Sequence, residues 1–258
     1  MGRRAIWSLI AVVLMTPPPA HGQAVQTDDP SAAVFQLETV VRDTGRGVAY
    51  GTAFFTSADG TALTVSHVVY RAQRDPNRYA LMAILNKEFY SVQIVCASRL
   101  GYDPRRANAV TGVPLGRDVA QIKVVPSQFT FHDWFITLTT GDRLPMATAH
   151  SGPLPGFHYL TLASGPMQGA HIRVIGFGHI SPIPRMFVAD GRIDKMNTTM
   201  DGTDIFSAMF TNPPQAGNSG SPILNERNQV VGIFPWSSLT DSDMATGISS
   251  SALQKPCR

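Results

Sequence analysis

Cysteine is scarce: the 258-residue chain has two, Cys96 and Cys257. Two cysteines cannot build the disulfide lattice of a small secreted scaffold. No paired-cysteine spacing and no H-E-x-x-H motif is present, and His132-Asp133, His158, His171 and His179 are scattered, so the sequence gives no basis for a metal site. No cofactor motif stands in for one. Charged residues make up only 15% of the chain and form no long run of Lys or Arg, which leaves nucleic-acid binding without support. No hydrophobic run reaches the roughly 18 residues of a membrane span. Helical periodicity is rare and no internal repeat is visible, which argues against bundles and solenoids.

What is present starts with Arg3 and Arg4, the apolar run Ile6 to Met15, and then Pro17-Pro18-Pro19-Ala20 and small residues up to Ala24. This is the order of a secretory signal peptide, with an uncleaved anchor as the alternative. Residues 1–24 are therefore assigned to the signal, and the product is expected to be secreted or periplasmic, with no membrane anchor once the signal is removed. Removing 24 residues from 258 leaves 234, and losing Arg3 and Arg4 takes the formal charge from +3 to +1. A chain of that length with 43% hydrophobic residues can bury a sizeable core.

Gln26 to Ser31 reads as a mobile lead-in. Strand patterns then follow at Val34 to Arg42, Val48 to Thr56 and Thr61 to Ser66, separated by the turns Asp43 to Gly47 and Ser57 to Gly60. Further strands are expected at Tyr79 to Leu85, Tyr90 to Ala97, Val119 to Val125, His171 to Phe177, Met186 to Ile193, Ile205 to Phe210, Gln229 to Trp236 and Thr246 to Ser250. Pro and Gly between Leu144 and Gly169 read as a connector between two halves. The pattern predicts an all-β architecture.

The stretch richest in chemistry is Gly217-Asn218-Ser219-Gly220-Ser221-Pro222. Its small residues allow two backbone N–H groups to converge beside the Ser219 hydroxyl, as an oxyanion site needs. A serine is a weak nucleophile unless a base, itself oriented by a third group, takes its proton. All seven histidines precede Ser219, so the Ser…Asp/Glu…His order of α/β-hydrolases is excluded. An Asp…His…Ser order stays open through Asp43 or Asp59. The order His…Asp…Ser fits better, with His67 read at the end of a strand and Asp118 immediately before one. Outside catalysis, His67 reads as a packed barrel-rim residue and Asp118 as a turn former.

Three blocks, Gly51-Thr52-Ala53-Phe54-Phe55 through Leu63-Thr64-Val65-Ser66-His67-Val68-Val69, Asp118-Val119-Ala120, and Gly217 to Pro222, resemble the signature blocks of chymotrypsin-like serine peptidases. The serine block with Ile223 to Ile233 is most similar to the bacterial glutamyl-endopeptidase branch, and the histidine block is also similar to HtrA-type proteases. The resemblance covers about residues 34 to 250. It implies two antiparallel six-stranded β-barrels with the active site in the cleft between them, an N-terminal barrel at about 32–126, a connector and C-terminal barrel at about 127–250, and a tail at 251–258. It further implies His67 as general base, Asp118 as its orienting acid, Ser219 as nucleophile, and the N–H groups of Gly217 and Ser219 as oxyanion donors. Phe234-Pro235-Trp236-Ser237-Ser238 would pair with a peptide or protein substrate bound as an extended strand.

Departures from the family pattern carry expectations of their own. Asn218 stands where zymogen relatives have an aspartate, so no activating cleavage is expected. Pro213, with Pro214 beside it, replaces the acid of trypsin-like pockets. Phe234 replaces the histidine of glutamyl endopeptidases, Trp236 would flank the pocket, and Ser237 would narrow its mouth. An uncharged, apolar P1 preference follows. Cys96 and Cys257 are candidates for a disulfide in an exported protein, and the lack of a downstream PDZ-like domain suggests a monomer. The competing reading is a catalytically silent binding protein of the same fold.

Overall fold

The computed structural model describes residues 28–99, 117–137, 140–178, 185–199, 201–237 and 244–256. The expected signal peptide and Cys257 lie outside them. Asp29 caps a short 3-10 turn, Pro30–Ala33, by accepting from the Ser31 N–H at 3.0 Å, so Ser31 is held in a turn where a mobile lead-in was expected.

The first barrel is built from β1 (Val34–Val41), β2 (Gly47–Phe55), β3 (Thr61–Thr64), β4 (Tyr79–Leu85), β5 (Glu88–Ala97) and β6 (Ala120–Val125). Neighbours run β1-β2-β3-β6-β5-β4, and β4 closes the ring on β1, every pair antiparallel. β7 (Asp133–Thr137) and β8 (Arg143–Ala149) form a hairpin that extends this sheet, with β8 parallel to β5. The second barrel contains β9 (His171–Gly178), β10 (Arg185–Thr198), β11 (Asp204–Phe210), β12 (Ser221–Leu224), β13 (Val230–Ser237) and β14 (Met244–Ser249), closed in the order β10-β11-β14-β13-β12-β9. Two short helices complete the described chain, α1 (Ser66–Arg74) and α2 (Ser250–Leu253). The fold is the chymotrypsin-like double barrel.

Alternation explains the cores. Phe35, Leu37, Phe55, Leu63 and Ile122 fill the first barrel, Phe35 and Phe55 meeting at 4.5 Å and Phe55 stacking on Phe157 of the connector at 4.3 Å. Phe206, Phe234, Ile193 and Ile223 fill the second. Each such side chain contributes roughly 1.5–3 kcal/mol when fully buried. Val40, Met82 and Ile84 point outward from the first barrel and are covered by Trp134 of β7 and by Phe89.

Two local expectations need correction. β3 stops at Thr64, and His67 lies in the first turn of α1, not at a strand end. The β-branched run Val65, Val68 and Val69 resembles a strand, yet Val68, Val69 and Ala72 all face the core, the stripe of an amphipathic helix. The segment 127–149, read without strands, contains the β7–β8 hairpin, which belongs structurally to the first barrel's sheet.

Candidate active site

α1 begins without a side-chain cap, so its first N–H groups need acceptors from elsewhere. One is supplied by Asp118: the His67 backbone N–H donates to its Oδ1 at 3.0 Å, while His67 Nδ1 meets its Oδ2 at 2.6 Å. A carboxylate suits a helix N-terminus on electrostatic grounds, and here the two contacts also fix the plane of the carboxylate. Asp118 is 2% exposed. With Oδ2 accepting, Nδ1 carries the proton and Nε2 is left as the basic nitrogen.

The backbone on both sides of Asp118 is anchored. Ser66 Oγ donates to the Val119 carbonyl at 2.7 Å, Ser98 Oγ donates to the Arg117 carbonyl at 2.7 Å, and the Val119 N–H donates to Ser98 Oγ at 2.9 Å. The Arg117 N–H donates to Asp201 Oδ2 at 2.7 Å, and the Arg117 guanidinium donates to the carbonyls of Ala252 and Lys255. Burial works to raise the Asp201 carboxyl, but Thr199, the Arg117 N–H and Thr203 together hold it down at about 2. None of Ser66, Ser98, Arg117 or Asp201 was singled out from sequence. Successive bonded pairs among them lie 19 to 84 residues apart along the chain, and no spacing rule links them.

The alternative acids lie elsewhere. Asp43 is exposed in the β1–β2 turn, and Asp59 precedes β3, paired with Lys123 Nζ at 2.5 Å, which holds its carboxyl well below the usual range. The carboxylate on His67 is Asp118.

Ser219 lies between Gly217 and Gly220, both at positive φ, 96° and 92°. Its hydroxyl donates to the Pro235 carbonyl at 3.1 Å, and Gly220 N–H donates to the Phe234 carbonyl at 2.7 Å, so β13 flanks the loop. Asn218 is fully buried, its Nδ2 donating to the Gln215 carbonyl at 3.3 Å and its Oδ1 accepting from Ser221 Oγ at 3.4 Å. Pro213 is half-buried and Pro214 buried. Phe234 has its side chain in the second barrel's core and so offers the site its carbonyl. Trp236 and Ser237 lie in β13 opposite Thr246 and Ala245; their side chains are outside the described residues, as is Ser238. Cys96 is disulfide-bonded, and its expected partner Cys257 lies outside the described residues. Among the described residues no group of three or more His, Cys, Asp or Glu is placed to hold a metal ion.

Residues 51–233 match the model of the trypsin-like peptidase domain. The chain belongs to this family of serine endopeptidases. Among solved structures it is similar to the Rv3671c protease of M. tuberculosis in its active form, at 17% identity over 98% of this chain and 92% of that one, with a TM-score of 0.56. It is also similar to a serine endoprotease from Yersinia pestis, at 15% identity over 87% of this chain and 61% of that one, TM-score 0.55. Deg5 matches at 13% identity over 87% of both chains, TM-score 0.56. At these identities the likenesses show the shared fold.

Proposed function

We propose that the chain is an exported serine endopeptidase in which Ser219 attacks the scissile carbonyl, His67 takes its proton and returns it to the leaving amine, and Asp118 holds the imidazole in the required tautomer. The observation that carries this reading is the double contact of Asp118 with His67, at Nδ1 and at the backbone N–H. The Gly217 and Ser219 N–H groups stabilise the tetrahedral oxyanion. An extended substrate alongside β13 brings an N–H to the Pro235 carbonyl, the acceptor that Ser219 Oγ now uses. Binding thereby frees the hydroxyl proton to turn toward His67 Nε2.

Activity without zymogen cleavage follows from Asn218, whose amide is already engaged by Gln215 and Ser221 and has no charge to offset a buried ammonium. Asp28 meets Asn228 in the β12–β13 turn, at the far end of that hairpin from Ser219. The similarity of residues 217–233 to the glutamyl-endopeptidase branch supports a place near it, although Phe234 gives no counter-charge for an acidic side chain. Pro213 gives none for a basic one, so an uncharged apolar P1 residue is favoured. Cleavage of a positional-scanning peptide library tests the reading. Turnover after aliphatic residues that vanishes in Ser219→Ala is expected; turnover that survives Ser219→Ala would overturn the mechanism, and dominant cleavage after Arg, Lys or Glu would overturn the pocket.

A further inference from the structure

The Ser219 loop belongs to the second barrel, but two of its carbonyls are bonded to Thr52 in β2 of the first. Thr52 is fully buried and uses every polar group it has. Its N–H donates to the Ser219 carbonyl at 2.8 Å, and its own carbonyl accepts from Thr64 Oγ1 at 2.8 Å. Its hydroxyl donates to the Gly217 carbonyl at 2.9 Å and accepts from the Phe177 N–H at 2.9 Å. These roles are not interchangeable, because an amide N–H can only donate and a carbonyl can only accept. The one hydroxyl proton therefore lies on the Gly217 side.

The consequence falls on the peptide that links the two carrying the oxyanion donors. Gly217 sits at φ 96°, and glycine has little intrinsic barrier to leaving that conformation. An outside restraint is needed. The Gly217–Asn218 peptide is held at both ends, its carbonyl by Thr52 Oγ1 and its N–H by the Gln215 carbonyl at 3.0 Å. The next carbonyl, of Asn218, accepts from the Ser221 N–H at 2.9 Å, and the next, of Ser219, accepts from Thr52 N–H. Because a trans peptide points its N–H opposite its carbonyl, fixing the Asn218 carbonyl aims the Ser219 N–H away from the loop interior. Two of these three carbonyls are held by Thr52.

We propose that Thr52 is a positioning residue for the oxyanion hole, its hydroxyl locking the Gly217–Asn218 peptide so that the Gly217 and Ser219 N–H groups converge. The proposal rests on the functional reading of Ser219. Thr52 acts through Gly217 and touches no reacting atom.

The test compares wild type, Thr52→Val, Thr52→Ser and Ser219→Ala. It measures kcat and KM on a peptide substrate, inhibition by a peptide aldehyde whose hemiacetal oxygen enters the oxyanion hole, binding of the product peptide, and thermal unfolding. Thr52→Val keeps the shape and removes the hydroxyl. It is expected to lower kcat by about 10- to 100-fold, less than or equal to the loss of an oxyanion donor itself. Aldehyde affinity should fall in parallel, with KM and product affinity nearly unchanged, and Thr52→Ser should restore most of the loss. Should Thr52→Val not fold, Thr52→Ala carries the same comparison with Thr52→Ser. Near-wild-type kcat in the hydroxyl-less variant, a loss confined to KM, or an equal loss in Thr52→Ser would overturn the proposal. Turnover retained by Ser219→Ala would instead overturn the functional reading beneath it.

Discussion

Asp118 has both carboxylate oxygens on one residue, and that makes it intolerant of an amide. In Asp118→Asn one of the two His67 donors must face an NH2 group, and relief comes from moving the proton off Nδ1, which leaves Nε2 protonated and unable to act as base. A fall in kcat of about 10⁴-fold is expected, the size that wrong-tautomer variants of serine peptidase triads show. Unchanged Tm alongside that fall would separate tautomer control from unfolding. A second buried carboxyl, Glu38, makes a different statement. Burial pushes it up to about 8, opposed by a hydrogen bond from Gln36 Nε2 at 2.5 Å, and its charge would also act on the neighbouring Tyr50. Its folded value lies above the reference of 4.5, so the native state keeps a proton that the unfolded chain releases. This group's contribution is complete below pH 4.5, declines as pH rises, by up to roughly 1.4 kcal/mol per unit, and levels off above about 8. Denaturant unfolding across that range should show the decline in wild type and a flatter profile in Glu38→Gln.

Elements were unevenly legible. β1, β4 and β11 carry clean β-branched and apolar runs bounded by turn residues, and the expected and observed spans agree to within about a residue. α1 was hidden because its start is defined by a contact 51 residues away, Asp118 on the His67 N–H, where local sequence offers no cap. The β7–β8 hairpin was hidden by Pro145, which argues against a strand interior. Pro145 sits opposite Phe135 at a bulge, where a missing N–H is tolerated. The hairpin's role is cover: Trp134 buries its ring over Val40 and Met82 and donates Nε1 to the Gly45 carbonyl at 3.0 Å. Trp134→Ala should therefore destabilise by roughly 3–5 kcal/mol while kcat, measured well below the lowered Tm, stays within about twofold of wild type, since its ring packs in the outward-facing cluster with Val40 and Met82.

Across the whole molecule each barrel holds a working part of the other. Thr52 of the first barrel fastens the Ser219 loop of the second, while Asp201 and the carbonyls at the end of α2, both from the second, fasten Arg117 beside Asp118 of the first. The sequence motifs named the His67, Asp118 and Ser219 blocks, but this cross-bracing depends on tertiary approach that no motif encodes. Its tightest point is Gly220: a Cβ there would lie 2.0 Å from the Thr52 carbonyl oxygen and 2.4 Å from Thr64 Oγ1, at φ 92°. Gly220→Ala must push the barrels apart at the seam, and a stability loss of roughly 3 kcal/mol or more, with near-complete loss of activity, is the expected result in thermal unfolding and peptide assays.

The proposed chemistry stands on Ser219 being a nucleophile activated by His67. Intact-mass and peptide-map analysis after treatment with a fluorophosphonate measures this directly. One adduct, located on Ser219, formed rapidly in wild type and slowed by several orders of magnitude in His67→Ala, is the predicted result. A protein that stays unlabelled, carries the adduct elsewhere, or reacts at the same rate without His67 would rule out this role for Ser219.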